Sequence, residues 1–138
     1  MKKNEKKGFT LVELLGVIVI LGIIAMIAVP TINTALNYSR KKAYDEQINT
    51  IENTAQTYMS KNSLKLPSQT EGSSCGVSVQ TLQQEGLLTS DDIENPKYRK
   101  NSEEEEESFE TFDGCVIITY TNNKYKYEYE NSTCTNEC

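Results

Sequence analysis

Four cysteines and one carboxylate in an apolar run carry most of the chemistry legible in this 138-residue chain. Cys75, Cys115, Cys134 and Cys138 all lie in its second half. An even number of thiols reads either as two disulfides formed in an oxidising compartment or as four thiolates around a zinc ion. Structural zinc sites draw their ligands in closely spaced pairs. Only Cys134 and Cys138 are close enough to form one, and no second pair exists. Disulfides are therefore expected, and no metal. Three connectivities stay open. Cys75–Cys115 with Cys134–Cys138 would tie a loop to a sheet and close the tail, whereas the other two bridge the tail to the rest and pin the C-terminus. Each unstrained bridge stabilises by roughly 2–4 kcal/mol.

The remaining composition excludes much. With no His there can be no His-based triad, His general base or His-ligated zinc. Neither a nucleophile–base pair nor a phosphate loop nor a cofactor motif is visible, so the chain reads as a structural protein without a cofactor and not as an enzyme. The net charge of −6, from 14 basic and 20 acidic residues, makes it a poor partner for nucleic acid, and no direct contact is expected. The cluster Lys97-Tyr98-Arg99-Lys100 is a local exception that reads as solvated.

The carboxylate is Glu13. Met1–Gly8 holds four lysines against one glutamate, and from Phe9 to Val29 the only charged residue is Glu13. As a helix that run is about 31 Å long, enough to cross a hydrocarbon core of roughly 30 Å. Lysines ahead of it place that end in the cytoplasm by the positive-inside rule. The run exceeds the apolar core of a secretory signal peptide and lacks its small-residue cleavage site. On hydropathy alone it reads as a single-pass anchor. A lone carboxylate inside such a span costs a few kcal/mol. A cation from its own chain would have to be Lys6 or Lys7, about two turns back; otherwise the partner comes from another chain.

Lys6-Lys7-Gly8-Phe9-Thr10-Leu11-Val12-Glu13-Leu14-Leu15 resembles the prepilin leader of type IV pilins and type II secretion pseudopilins: basic residues, a Gly, a Phe, a Glu four positions on and a long apolar run. The resemblance covers residues 6–30. It implies cleavage after Gly8 by a membrane prepilin peptidase and methylation of the new amino group on Phe9. It also implies that Glu13 pairs with that amine, either of a neighbour or of its own chain, and that Gly22 and Pro30 occupy the family's helix-loosening positions.

The elements that must carry these residues follow from periodicity. Pro30 should kink the helix rather than end it, because helical spacing resumes at once. Ile32, Leu36, Tyr44, Ile48, Ile51, Ala55, Tyr58 and Met59 recur mostly three or four apart, with Asn33, Asn37, Arg40, Lys41, Asp45, Glu52 and Asn53 opposite. This predicts an amphipathic helix to about Asn62. Ser63 to Cys75 reads as a loop. Ser78 is placed to cap a short helix through Glu85 that stops at Gly86, with Leu82, Leu87 and Leu88 as its buried contacts. Ser90–Pro96 reads as a turn or short helix. Glu103–Glu107, five consecutive carboxylates, reads as a solvated loop, because a calcium site needs its oxygens separated by turn residues. Val116, Ile118 and Tyr120 alternate with Ile117 and Thr119. Tyr125, Tyr127 and Tyr129 alternate with Lys124, Lys126, Glu128 and Glu130, and Asn122-Asn123 lies between as a two-residue turn.

The expected fold is α+β and pilin-like: a long N-terminal helix packed on a small antiparallel sheet. Its parts are a cleaved leader at 1–8, an apolar transmembrane or filament-core helix at 9–30, an amphipathic continuation at 31–62, and an extracellular head at 63–138 ending in a β-hairpin. The resemblance implies a subunit of a type IV pilus or related filament. Its partners would be further copies in a helical homopolymer, minor pilins, prepilin peptidase and an inner-membrane assembly platform. The chain would sit in the cell membrane first and in a surface filament afterwards. The alternatives are a pseudopilin of a secretion or competence system, and a monomeric, membrane-tethered extracellular binding module.

Overall fold

The computed structural model describes residues 7–89, Ile93, Pro96 and residues 112–138. The Glu103–Glu107 run, the Lys97–Lys100 cluster and most of the Ser90–Pro96 turn lie outside the described residues. The chain divides into two compact units, Met1–Tyr38 and Ser39–Cys138. Helix α1 (Leu11–Lys61) belongs to both. A short 3-10 turn (Ser63–Lys65), strand β1 (Ser74–Ser78), helix α2 (Val79–Gln84) and strands β2 (Cys115–Thr121) and β3 (Lys124–Glu130) follow among the described residues of the second unit.

In the first unit α1 continues through Pro30. Proline has no N–H to offer the carbonyl four residues earlier, and two threonine hydroxyls add bonds to the carbonyls of this stretch. Thr31 donates to Ala28 O at 2.8 Å and Ile27 O at 3.1 Å, and Thr34 donates to Pro30 O at 3.2 Å.

In the second unit α1 packs on a three-stranded antiparallel sheet of order β1-β2-β3, giving an α+β, pilin-like fold. Tyr44, Ile51, Ala55, Tyr58 and Met59 of α1 are buried in one core with Val77, Val79, Leu82, Val116 and Ile118. The packed stripe begins at Tyr44. Ile32 and Leu36, which continue the same periodicity, are 54% and 48% exposed and belong to the surface of the first unit. Phe112 stacks on Tyr44 with ring centroids 5.0 Å apart and lies 6.1 Å from Tyr129. The three tyrosines of β3 sit half-buried on the core side and its lysines and glutamates face out, as period two requires.

Local chemistry sets the ends of these elements. Ser78 Oγ accepts the Thr81 N–H at 3.1 Å as the cap of α2. At the other end Gly86 takes φ 71°, its N–H reaches Gln83 O, and the Leu87 N–H reaches Leu82 O, both at 3.0 Å. That pair of bonds is a Schellman ending, with Leu87 and Leu82 as the apolar pair that accompanies it. Asn122 and Asn123 take φ 50° and 60°, the two left-handed residues a tight hairpin turn needs. Glu71 clamps the same turn, accepting from Thr121 Oγ1 at 2.6 Å and from the Asn122 N–H at 3.2 Å.

Strand β1 is not legible as a strand from its residues. Ser-Cys-Gly-Val-Ser has one branched apolar residue and a central glycine, too short and weak a pattern to read as a strand, and Ser63–Cys75 reads as loop throughout. Its pairing is supplied from both sides. Cys75 and Val77 sit opposite Ile118 and Val116 of β2. On its free edge the C-terminal tail takes up the outward groups of the strand. The Gly76 N–H donates to Asn136 O at 2.6 Å, the Cys138 N–H donates to Gly76 O at 3.0 Å, and Asn136 Nδ2 donates to Ser74 O at 2.9 Å. A short parallel bridge, Gly76 with Glu137, results. An open edge that would otherwise invite another chain is thereby covered.

Two disulfides hold that tail, Cys75–Cys138 and Cys115–Cys134. Both bridges run to the tail, and the pairing of Cys134 with Cys138 is not used. Strand alternation puts Cys75 on the core side with Val77 and Cys115 on the opposite side, so one bridge fastens the tail on each face. The loops they close span 63 and 19 residues. The chain-entropy account assigns such loops about 4 and about 3 kcal/mol taken singly, less in sum because the smaller lies inside the larger. Gly76 is fixed by this arrangement: a Cβ there would stand 2.5 Å from Cys115 Sγ and 3.1 Å from Cys134 Sγ.

The far edge of the sheet has its own partner. Glu52 of α1 accepts the Tyr129 N–H at 2.8 Å. Periodicity places Glu52 on the solvent side of the helix, whereas the structure turns it half-buried toward β3, where it accepts a backbone N–H of that strand.

Gly76→Ala should lower stability by about 1–3 kcal/mol, the usual range for forcing a group into a packed site, read by denaturant unfolding of the oxidised chain. Burial, with a smaller contribution from neighbouring Tyr125, raises the Tyr127 phenol above its ordinary value of 10.0. The folded state then holds that proton longer than the unfolded chain, so stability should fall as pH climbs past about 10. A Tyr127→Phe variant should show a shallower alkaline decline in melting temperature.

Candidate functional site

The first turn of α1 holds the residues that the sequence singles out. Thr10 precedes the first helical residue, Leu11, and its carbonyl accepts the Leu14 N–H at 3.2 Å. Thr10 Oγ1 accepts the Glu13 N–H at 3.2 Å, while the Thr10 N–H donates to Glu13 Oε2 at 2.9 Å. This reciprocal pair is a capping box, which satisfies two of the backbone donors a helix start leaves open. A threonine cap is worth about 1 kcal/mol, and a carboxylate in the first turn also suits the helix dipole. Among the described residues Glu13 therefore has a partner in its own chain, the Thr10 amide. Thr10 is the residue of this first turn that hydropathy reasoning passes over. The signal for it is present in the sequence, as Thr-x-x-Glu ahead of an apolar run.

Gly8 and Phe9 lie before the helix. Phe9 is 93% exposed, and a Cβ at Gly8 would meet nothing within 4 Å. Among the described residues nothing crowds that position. Lys7, Gly8, Phe9, Thr10 and Glu13 together line an open cleft at the helix start. Gly22 is likewise in open space. By helical rise it stands about 14 Å beyond Glu13, and Pro30 about 26 Å beyond it, so the structure does not gather these two with the first-turn residues.

Between them runs a surface apolar on every side. Leu14, Leu15, Ile18, Leu21, Ile24 and Ile27 are all exposed, and the best 18-residue window of α1 has mean hydropathy 2.9 with none of it buried in the protein. α1 is long and apolar enough to cross a membrane. A helix hydrophobic all round takes its environment from outside the chain, from lipid or from other helices.

Residues 3–29 match the family model for the prokaryotic N-terminal methylation motif. The chain carries a type IV prepilin-like signature. No curated protein and no solved structure matches the chain. The motif supports a type IV pilin-like or pseudopilin substrate of prepilin peptidase and fits membrane anchoring ahead of assembly into a filament. The prepilin-like segment thus has a capped helix start with an accessible, non-helical peptide just before it. In the second unit the four cysteines are all bonded, and among the described residues no group of three or more His, Cys, Asp or Glu side chains could hold a metal ion. A second polar feature there pairs Lys65 with Tyr58: Nζ donates to the phenol oxygen at 3.0 Å and lies 5.5 Å from the ring centre. That hydrogen bond raises the Lys65 pKa above its usual 10.5.

Proposed function

We propose that this chain is a pilin, a structural subunit cut between Gly8 and Phe9 and assembled through the apolar half of α1 into a type IV pilus or related filament. The observation that carries the reading is the placement of Glu13. It is a carboxylate held in the first turn of a helix whose following turns are apolar on all sides, four residues after an accessible Gly-Phe bond.

Hydrolysis of the Gly8–Phe9 bond leaves a carboxylate on the leader and an ammonium group on Phe9, which then receives a methyl group. The cut removes the lysine-rich segment and creates a cation at the edge of the apolar region. Glu13 becomes the counter-charge for the amine of a neighbouring subunit. Two charges buried as a pair are tolerated in a low-dielectric core, whereas one left alone is costly. A subunit at the wrong height leaves Glu13 unpaired, so the pair fixes axial register. The apolar residues exchange lipid contact for contact with other copies, and packing between helices replaces packing against acyl chains. Ser39–Cys138, tied by its two disulfides, forms the outer surface.

Intact-mass analysis of purified material should give a chain beginning at N-methylated Phe9. A start at Met1, or after Val29, would contradict the proposal. Glu13→Ala should still insert in the membrane and still be cut, yet yield at least tenfold fewer filaments in sheared surface fractions. Wild-type yield from that variant would remove the pairing role.

A further inference from the structure

We infer that Arg40, Lys41 and Lys42, with Tyr38, form a collar on α1 that binds the anionic phospholipid headgroups at the far surface of the bilayer its apolar half crosses. The inference goes beyond the filament reading: it concerns a single chain in its membrane and holds whether or not filaments form.

Position along the helix marks the collar first. From Phe9 to Ser39 the only charged residue is Glu13, and three consecutive cations then follow. At helical rise the stretch from Leu11 to Arg40 is about 44 Å long, and a bilayer with its headgroups is about 40–45 Å thick. A first turn held at one headgroup layer therefore brings Arg40 to the other. Tyr38, 72% exposed, lies just ahead of the cations, and tyrosine is enriched where hydrocarbon meets headgroup. Missing counter-charge is the second mark. Arg40, Lys41 and Lys42 are all exposed. Asp45 and Glu46 stand one turn on from Lys41 and Lys42, yet no ion pair joins them among the described residues. Direction is the third. Consecutive helical residues point about 100° apart, so these three side chains spread over more than half the circumference. One protein neighbour touches one side of a helix, whereas a headgroup layer surrounds it. The arginine fork matches a phosphate group, and a lysine stem lies along apolar surface while its ammonium group reaches the polar layer.

Replacing the three together, Arg40→Gln with Lys41→Gln and Lys42→Gln, removes the charges and leaves the span, the leader and both disulfides. The full-length wild type and this variant are reconstituted, unassembled, into vesicles of phosphatidylcholine and phosphatidylglycerol in equal amounts. Electron spin resonance of spin-labelled lipids of each kind then gives the preference of the chain for the anionic one. Wild type should prefer phosphatidylglycerol, and the preference of the variant should be weaker by about fivefold or more, as expected when several cations beside a membrane are lost. The leader lysines are common to both chains, so the difference reports on the collar. Arg40→Lys keeps the charge and should stay within about twofold of wild type. In about 1 M salt the difference between wild type and the triple variant should vanish, because screening then acts over about 3 Å. Equal preference in the two chains at low salt would overturn the inference, as would a difference that persists at high salt. A triple variant that kept its lipid preference but lost filaments would assign the cations to an acidic face of a neighbouring copy instead. Failure of the filament reading leaves the measurement intact, since it is made on unassembled chains.

Discussion

A helix with apolar side chains on every side has no stable place in water, and the first half of α1 is such a helix. Everything else about the chain follows from where that surface goes. It finds no cover within its own unit, where residues from Leu11 to Leu36 stand exposed around the whole circumference. The environment that receives it must come from outside, first lipid and then, in the proposed filament, identical helices. A chain that changes surroundings in this way needs a feature distinguishing one apolar medium from the other. Hydrophobic contact cannot supply it, because acyl chains and leucine side chains are about equally apolar. A single carboxylate can, because its free energy depends on whether a cation stands nearby.

The second unit solves a different problem. Its core is modest, built from a few turns of α1, a six-residue helix and a three-stranded sheet. Two disulfides add covalent support to it. The help is placed where the sheet is weakest. β1 is short and interrupted by glycine, and the tail that completes it is bonded on both faces. β3 lies at the other edge, and a carboxylate from α1 takes one of its backbone donors. The edges are thus closed by the end of the chain and by the helix, and not by further strands.

How much of this is readable from residue order depends on whether the deciding interaction is local. The α2 cap at Ser78, its stop at Gly86 and the Asn122-Asn123 turn are local, and each stands in the structure where the residue types put it. Strand β1 is not local. Five residues with a central glycine carry too weak a signal, and β2 and the tail supply its pairing from either side. The disulfide pairing is likewise a property of the closed sheet, so the spacing alone leaves three connectivities open. Glu52 shows the limit of periodicity in another way. Helical spacing assigns it to the polar side, but a β-strand edge presents donors that a nearby carboxylate can reach. At the helix start, hydropathy draws attention to the charge of Glu13 and away from its small neighbour. Thr10 enters only when the backbone donors of the first turn are counted.

The two asparagines between β2 and β3 bear on the order in which the second unit is built. Left-handed residues in tandem let β2 and β3 meet after closing a two-residue loop, an event of microseconds that needs no distant part of the chain. β1 must cross a far longer stretch of sequence to reach β2, and the tail can settle on β1 only after that. The hairpin can form by local closure and already brings Cys115 near Cys134 in the tail, whereas Cys138 finds Cys75 only once β1 has paired with β2.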